Sequence, residues 1–196
     1  MKQFFVDVET TGLSYYQDSI IEVSYILCID YQEMERRQIF VQPRPGVKMN
    51  SMAQKAHGVS YEEAMERGVP EKVAYDQLRQ ALSRYCDKFN PADKYFFMAY
   101  NSPFDNQFLR AMWKEMGDRF FGSYFWAPDI CIMRHALAYM MERRGRMTNF
   151  QQLTVAQELG IELDKDRLHE AMYDIEASQK IWNIVRPRTV VEEQCV

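Results

Sequence analysis

The sequence contains no apolar run long enough to cross a bilayer, which excludes a helical membrane span. It carries no excess of positive charge. A net charge of −4 argues against a protein that coats nucleic acid non-specifically, because such proteins are basic, but not against an enzyme that acts on it. The 4 cysteines, Cys28, Cys86, Cys131 and Cys195, are scattered and lack zinc-ligand spacing, so they point to reduced thiols in a cytoplasmic protein. No repeat is visible, which excludes a solenoid. Acids arrive at Asp7 and Glu9, too early for the apolar core of a signal peptide. What is present is ordinary for a globular protein: 196 residues, 47% hydrophobic and 27% charged. That length suits one domain with a sizeable core, expected over residues 1–186, with a short tail over 187–196.

The most informative stretch is Phe4-Phe5-Val6-Asp7-Val8-Glu9-Thr10-Thr11-Gly12-Leu13. It starts as the apolar run of a buried strand and is then interrupted by two acids. Residues two apart on a strand share a face, so Asp7 and Glu9 point the same way. Two neighbouring carboxylates in a low-dielectric place are costly unless a cation neutralises them. A hard divalent ion with oxygen ligands, Mg²⁺ or Mn²⁺, is the natural candidate. The plain alternative is a strand that ends at Asp7, with both acids solvated in a turn. The decapeptide alone does not choose.

Along the chain, residues 3–9 predict a first strand and Ile20–Ile29 a second, rich in β-branched and aromatic residues. A hairpin turn is expected over Asp30–Glu35 and a third strand over Arg37–Val41, stopped by Pro43 and Pro45. Residues 50–90 read as helical. Asn50 or Ser51 caps one piece, Ser60 with Glu63 forms a capping box for the next, and Pro70 opens a longer helix through Tyr85. Taken alone, His57 reads as a helix C-terminal residue beside the Gly58 cap. Lys94–Tyr100 predicts a central fourth strand. It runs into a helix start with Ser102 as N-cap, Pro103 in the first turn and Asp105 at the third helical position. Asp105 alone is explained by the helix dipole. A fifth strand is expected over 124–132, helices over 129–143 and 149–159, and a basic loop at Arg143–Arg146. The last helix, about 170–185, carries the core stripe Met172, Ile175, Ser178, Ile181, Trp182 and Val185, with Asp174 close to it. His169, five residues earlier, reaches the same place only from the first turn or before it. Tyr15, Tyr16 and Trp126 read as core aromatics in preference to base-stacking ones.

Four acids, Asp7, Glu9, Asp105 and Asp174, therefore lie at strand ends or near helix starts, with His169 beside the last. Open α/β sheets place ligands at such positions. Four carboxylates and one imidazole suit two-metal hydrolysis of a phosphodiester, with the neutral imidazole taking a proton from the attacking water. Here the sequence resembles the DEDDh family of 3′→5′ exonucleases, which includes polymerase proofreading subunits, ribonuclease T and oligoribonuclease. The resemblance rests on three motifs: Asp7-Val8-Glu9-Thr10-Thr11-Gly12-Leu13, Asn101-Ser102-Pro103-Phe104-Asp105, and His169-Glu170-Ala171-Met172-Tyr173-Asp174. His57-Gly58-Val59-Ser60 and Gly68-Val69-Pro70 match further family segments, in the same order. Tyr100, where many members have His, and Ile175, where many have Ala, depart from the pattern.

The resemblance implies an α/β, ribonuclease-H-like fold with a mixed five-stranded sheet flanked by helices. It implies that Asp7, Glu9, Asp105 and Asp174 hold two Mg²⁺ or Mn²⁺ ions and that His169 is the general base. Thr10, Leu13, His57, Asn101 and Phe104 would bind the terminal nucleotides. The expected activity is release of 5′-mononucleotides from single-stranded 3′ ends, with DNA favoured over RNA. An RNA-specific exoribonuclease and a non-catalytic nucleic-acid-binding module are the rival readings. A stand-alone enzyme is expected over a DNA polymerase subunit, and a homodimer is left open.

Overall fold

A computed structural model of the chain describes residues 1–164, 167 and 170–187. The first strand, β1 (Lys2–Thr10), organises it because its two faces differ in chemistry. Phe4, Val6 and Val8 point to one face and belong to one core cluster, while Phe5 belongs to the other. Asp7 and Glu9 continue the Phe5 face towards the C-terminal end of the strand, as alternation requires.

β1 pairs antiparallel with β2 (Ile20–Ile29), which in turn pairs antiparallel with β3 (Gln32–Phe40). On its other side β1 runs parallel to β4 (Tyr95–Ala99), and β4 to the two-residue β5 (Ile130–Cys131). The sheet order is β3-β2-β1-β4-β5. This is the mixed five-stranded sheet expected from sequence.

Helices cover both faces. On the Val6 side, α3 (Glu71–Tyr85) and α4 (Ser102–Glu115) bury Leu78, Leu82, Phe108, Leu109 and Trp113 against the sheet. On the Phe5 side, α5 (Ile132–Tyr139), α6 (Gln152–Glu158) and α7 (Ala171–Val185) bury Ile132, Val155, Ile175, Ile181 and Trp182. Two short helices, α1 (Ser51–His57) and α2 (Tyr61–Arg67), lie between β3 and α3. Asn50 caps α1 through the Met52 amide, and Ser60 caps α2 through the Glu63 amide, both at the positions read from sequence. Among the described residues no helix is long and apolar enough to cross a membrane.

Several boundaries differ from the sequence reading. The β2–β3 turn is only Asp30-Tyr31, with φ of 49° and 65°, and β3 begins at Gln32. Two successive left-handed residues give the tight turn whose twist matches a hairpin; here they are not glycines, so the usual marker is missing. The expected strand over 124–132 shrinks to Ile130–Cys131, with Phe125 making an isolated bridge to Tyr95. The helix expected over 129–143 ends at Tyr139. The basic run is not a loop but part of a 3₁₀ turn, Met141–Arg146. The helix expected over 149–159 is trimmed to Gln152–Glu158. At the start of α4, Asn101 takes the capping position and Ser102 the first helical one. The Ser102 hydroxyl donates instead to the Asp129 carboxylate.

Candidate active site

β1 delivers Asp7 and Glu9 on one face, and α7 lies across that face. The first turn of α7 carries Asp174. One carboxylate oxygen from each of Asp7, Glu9 and Asp174 falls within 4.8 Å of the other two, all three side chains being half-buried. The solvated-turn alternative for Asp7 and Glu9 is thereby excluded: β1 continues to Thr10 and both acids face a packed helix.

Asp105 comes from the opposite side of the sheet. β4 ends at Ala99, and the chain turns into α4 at the same end as the acids of β1. Asp105, 4% exposed, accepts the Val8 amide at 3.0 Å through Oδ1. Val8 is the residue between Asp7 and Glu9, so Asp105 braces the backbone that carries both. It stands beside the trio, not within it.

The electrostatics follow from the crowding. Burial, then the charges of Asp105, Glu9 and Asp174, hold the Asp7 carboxyl well above the usual carboxylate range. Burial pushes Glu9 up to about 8, with Glu22 as the next contributor and Asp174 and Asp105 after it. Burial lifts Asp105 to about 7, Asp129 adds to the rise, and amide donors including that of Val8 oppose it. Such a group of acids favours either retained protons or bound cations. Oxygen donors at this spacing fit hard divalent ions. Asp7, Glu9 and Asp174 are the residues that would hold such an ion.

Glu22 was not singled out from sequence. It lies directly opposite Glu9 across the β1–β2 ladder and is 5% exposed. Ser24 Oγ and Gln38 Nε2 donate to its Oε1 at 2.8 and 2.9 Å. The signal was available: an acid inside the apolar run Ile20-Ile21-Glu22-Val23 poses the same question as Asp7 in β1. Gln152 of α6 is another such residue. Its amide nitrogen donates to the Asp174 carbonyl at 2.7 Å and to Ser178 Oγ at 2.9 Å, tying α6 to the turn that carries Asp174.

The other residues taken from the sequence occupy defined places. Thr10 is buried, with Oγ1 donating to the Gly12 carbonyl at 2.6 Å, so it shapes the loop after β1. Leu13, at the tip of that loop, is 85% exposed. A side chain on Gly12 would meet the Asp18 carboxylate at 2.5 Å, and that carboxylate holds the Ser14 amide at 2.8 Å. Asn101 is exposed at the α4 cap, and Phe104 is half-buried one residue before Asp105. α1 starts beside the same loop, because the Asn50 amide donates to the Thr11 carbonyl at 2.8 Å. His57 closes that helix. Its Nδ1 accepts the Val59 amide at 3.1 Å, and Gly58 at φ 76° takes the left-handed cap position. His169, the expected general base, lies outside the described residues.

The family model for the exonuclease (RNase T) family matches residues 4–182. The chain belongs to that exonuclease family, as its DEDDh-type motifs implied. Ribonuclease T of Actinobacillus pleuropneumoniae is 25% identical over 117 residues, which cover 57% of this chain and 53% of that protein. In overall structure the chain resembles Exonuclease I of E. coli in complex with a dT13 oligonucleotide, with a TM-score of 0.78 at 16% identity. That match covers 98% of this chain and 42% of the larger one. A moderately thermophilic Exonuclease I from Methylocaldum szegediense gives 0.75 at 18% identity, over 96% of this chain and 41% of that one. The chain thus spans less than half of these structural relatives, and about half of the ribonuclease T relative. The shared fold is ribonuclease-H-like.

Proposed function

We propose that the protein is a divalent-metal-dependent 3′→5′ exonuclease that releases 5′-mononucleotides from single-stranded ends. The observation that carries this is the meeting of Asp174, from α7, with Asp7 and Glu9 of β1, one carboxylate oxygen from each lying within 4.8 Å of the other two, with Asp105 fixed on the Val8 amide between Asp7 and Glu9. Bringing the α7 acid onto the pair carried by β1 is costly in like-charge repulsion and burial, and a bound cation offsets that cost.

Bound Mg²⁺ or Mn²⁺ ions would supply positive charge to the scissile phosphodiester and the attacking water. Asp7, Glu9 and Asp174 would hold them, and Asp105 would add negative charge from the other side of β1. His169, adjoining the element that carries Asp174, would accept the proton of the attacking water as general base. Exposed Leu13 and half-buried Phe104 offer apolar surface to the terminal base, while the Thr10 turn and Asn101 frame the space between. A single strand fits this reading because its bases can be splayed onto such surfaces. The free, buried thiols of Cys28, Cys86 and Cys131 are consistent with a cytoplasmic setting. The chain is read as acting alone, without a polymerase.

DNA is the favoured substrate, supported by the single-stranded DNA oligonucleotides held by the Exonuclease I relatives. RNA is the second reading, supported by the name of the relative found by sequence, ribonuclease T. Matched 5′-labelled DNA and RNA oligonucleotides, digested with Mg²⁺ and with Mn²⁺, test both. The expected result is a ladder shortening from the 3′ end that is abolished by EDTA and by Asp7→Ala. Undiminished digestion by either control would remove the assignment.

A further inference from the structure

The exonuclease reading accounts for the end of the strand being cut, not for the strand behind it. A second feature lies beside the site, on the outer side of α4. A cleft of about 250 Å³ opens between the loop after β1 and that helix, with walls that include Tyr15, Tyr16, Gln107, Arg110, Lys114 and Glu115. From the sequence both tyrosines were expected in the core. Tyr16 is instead 75% exposed, its ring centroid 4.0 Å from that of Tyr15.

We infer that this cleft binds the single-stranded nucleic acid upstream of the terminal nucleotide, an inference that rests on the exonuclease reading. Three observations carry it. The first is continuity. The Tyr15 and Phe108 ring centroids lie 6.5 Å apart, and those of Phe108 and Phe104 4.9 Å apart, so an aromatic row links Tyr16 to the residue preceding Asp105. Leu13 lies on the same loop.

The second is charge. Gln107, Arg110 and Lys114 recur at helical spacing along one side of α4. The one acid in the wall, Glu115, is paired with Arg44 at 3.5 Å, which leaves the cleft net positive. Phosphates are drawn to such a surface, and bases stack on its rings.

The third is rigidity. The Thr11 amide donates to the Ser19 carbonyl at 2.8 Å, and the Ser19 amide to Thr11 Oγ1 at 2.9 Å. Arg44 Nη2 donates to the Asp18 carbonyl at 2.6 Å. The loop therefore presents Tyr16 from a closed frame, and stacking a base on it costs little ordering. The Tyr16 ring packs on Tyr15 through one side and is otherwise open to solvent, which leaves a face on which a base can stack.

The test is fluorescence-anisotropy binding of labelled oligodeoxythymidylates of about 3 and about 12 nucleotides, lengths that bracket the lower site sizes of single-strand-binding grooves. The full chain carrying Asp7→Asn is the parent, so that the strand is not consumed. The 12-mer is expected to bind more tightly than the 3-mer. Adding Tyr16→Ala and Lys114→Glu should weaken the 12-mer about ten-fold, as removing the ring under one stacked base does. It should also reduce the slope of log K against log salt by about 0.7 for each phosphate that is no longer neutralised. Tyr16→Phe should restore the stacking part. Lys180→Glu, the same charge change at an exposed position of α7 on the other face of the sheet, should leave both readouts as in the parent. Equal 12-mer affinity and equal slope in the parent and the double variant would overturn the inference. Hydrolysis of the 3-mer by the unsubstituted chain separates the two readings. If it is absent, the exonuclease assignment falls and takes this inference with it; if it is present with unchanged 12-mer binding, only the cleft assignment falls.

Discussion

Glu9 and Glu22 face one another across neighbouring antiparallel strands, a pairing of like charges that a sheet ordinarily avoids. Glu22 is held in place by Ser24 and Gln38, and after burial it is the largest contributor to the raised pKa of Glu9. Its charge therefore works against the folded chain without metal and in favour of a cation at the trio. Glu22→Gln keeps an oxygen to accept both hydrogen bonds while removing the charge. The metal-free variant should melt about 2–4 °C higher, the effect of roughly 1 kcal/mol in a chain of this size. Its affinity for Mn²⁺ should fall roughly five-fold, the same energy expressed as binding. Calorimetric titration and thermal melts check the two signs together. A lower melting temperature with unchanged Mn²⁺ affinity would show that Glu22 serves only as a hydrogen-bond acceptor.

The same crowding sets a pH dependence. Glu9 and Asp105 hold their protons to about 8 and about 7 in the folded chain, whereas in the unfolded chain they lose them near 4.5 and 3.8, the ordinary values. Over that interval the folded state binds more protons than the unfolded state, so stability falls as pH rises. The contribution is complete below the unfolded values and is lost on passing through the folded ones. Denaturant midpoints measured in EDTA should therefore decline from about pH 4 to about pH 8 because of these groups. Saturating Mg²⁺ or Mn²⁺ replaces the protons and should flatten the decline. A metal-free profile that rises across this interval would contradict the site electrostatics.

How far the sequence could be read depended on whether a residue's local pattern carried its tertiary reason. Alternation alone put Asp7 and Glu9 on one face of β1, and the apolar strand before Asn101 put Asp105 at the same end of the sheet. Asp174 was legible because an acid close to an apolar helical stripe needs a partner. Glu22 obeyed the same logic and was missed, because its meaning lies in the residue opposite it, and register is not written in a single strand. The hairpin turn expected over Asp30–Glu35 is only its first two residues, Asp30-Tyr31, because left-handed residues that carry side chains give no glycine marker for so tight a turn. β5 shrank because Phe125 bridges Tyr95 while the chain leaves the sheet before Ile130. Tyr16 reads as a core residue by type, whereas it is 75% exposed, an orientation set by the loop and not written in the residue itself.

Gln152 gives a mechanical prediction. Its amide joins α6 to α7 by donating to the Asp174 carbonyl and to Ser178 Oγ, both bonds being partly buried. Gln152→Ala should cost about 1–2 kcal/mol, the range for removing a half-buried hydrogen-bonding side chain, and lower the melting temperature accordingly. Because one of the two acceptors belongs to Asp174 itself, Mn²⁺ affinity should fall as well. Gln152→Glu, which cannot donate to that carbonyl when ionised, should behave no better than Ala. An unchanged melting temperature in both variants would show that the two hydrogen bonds contribute nothing.

The last prediction separates holding a cation from moving a proton. Asp7 is flanked by Glu9 and Asp174 in the trio, and its carboxylate is the most crowded of the group. Asp7→Asn removes an ionised donor while keeping the shape, so it should abolish measurable metal binding and hydrolysis together. His169 is assigned the proton-transfer role from the sequence motif alone. Loss of a general base slows a reaction by about 10²- to 10⁴-fold, and an imidazole that is not a ligand leaves cation affinity nearly unchanged when removed. His169→Ala should therefore bind Mn²⁺ like the parent and cleave labelled oligonucleotides at least about a hundred-fold more slowly. The pH–rate profile of the parent should rise as the base loses its proton, and that limb should vanish in the variant. If His169→Ala instead loses Mn²⁺ and activity in parallel, the residue is a ligand and the base must be sought elsewhere. If it cleaves at the parental rate, proton acceptance falls to solvent or to one of the acids.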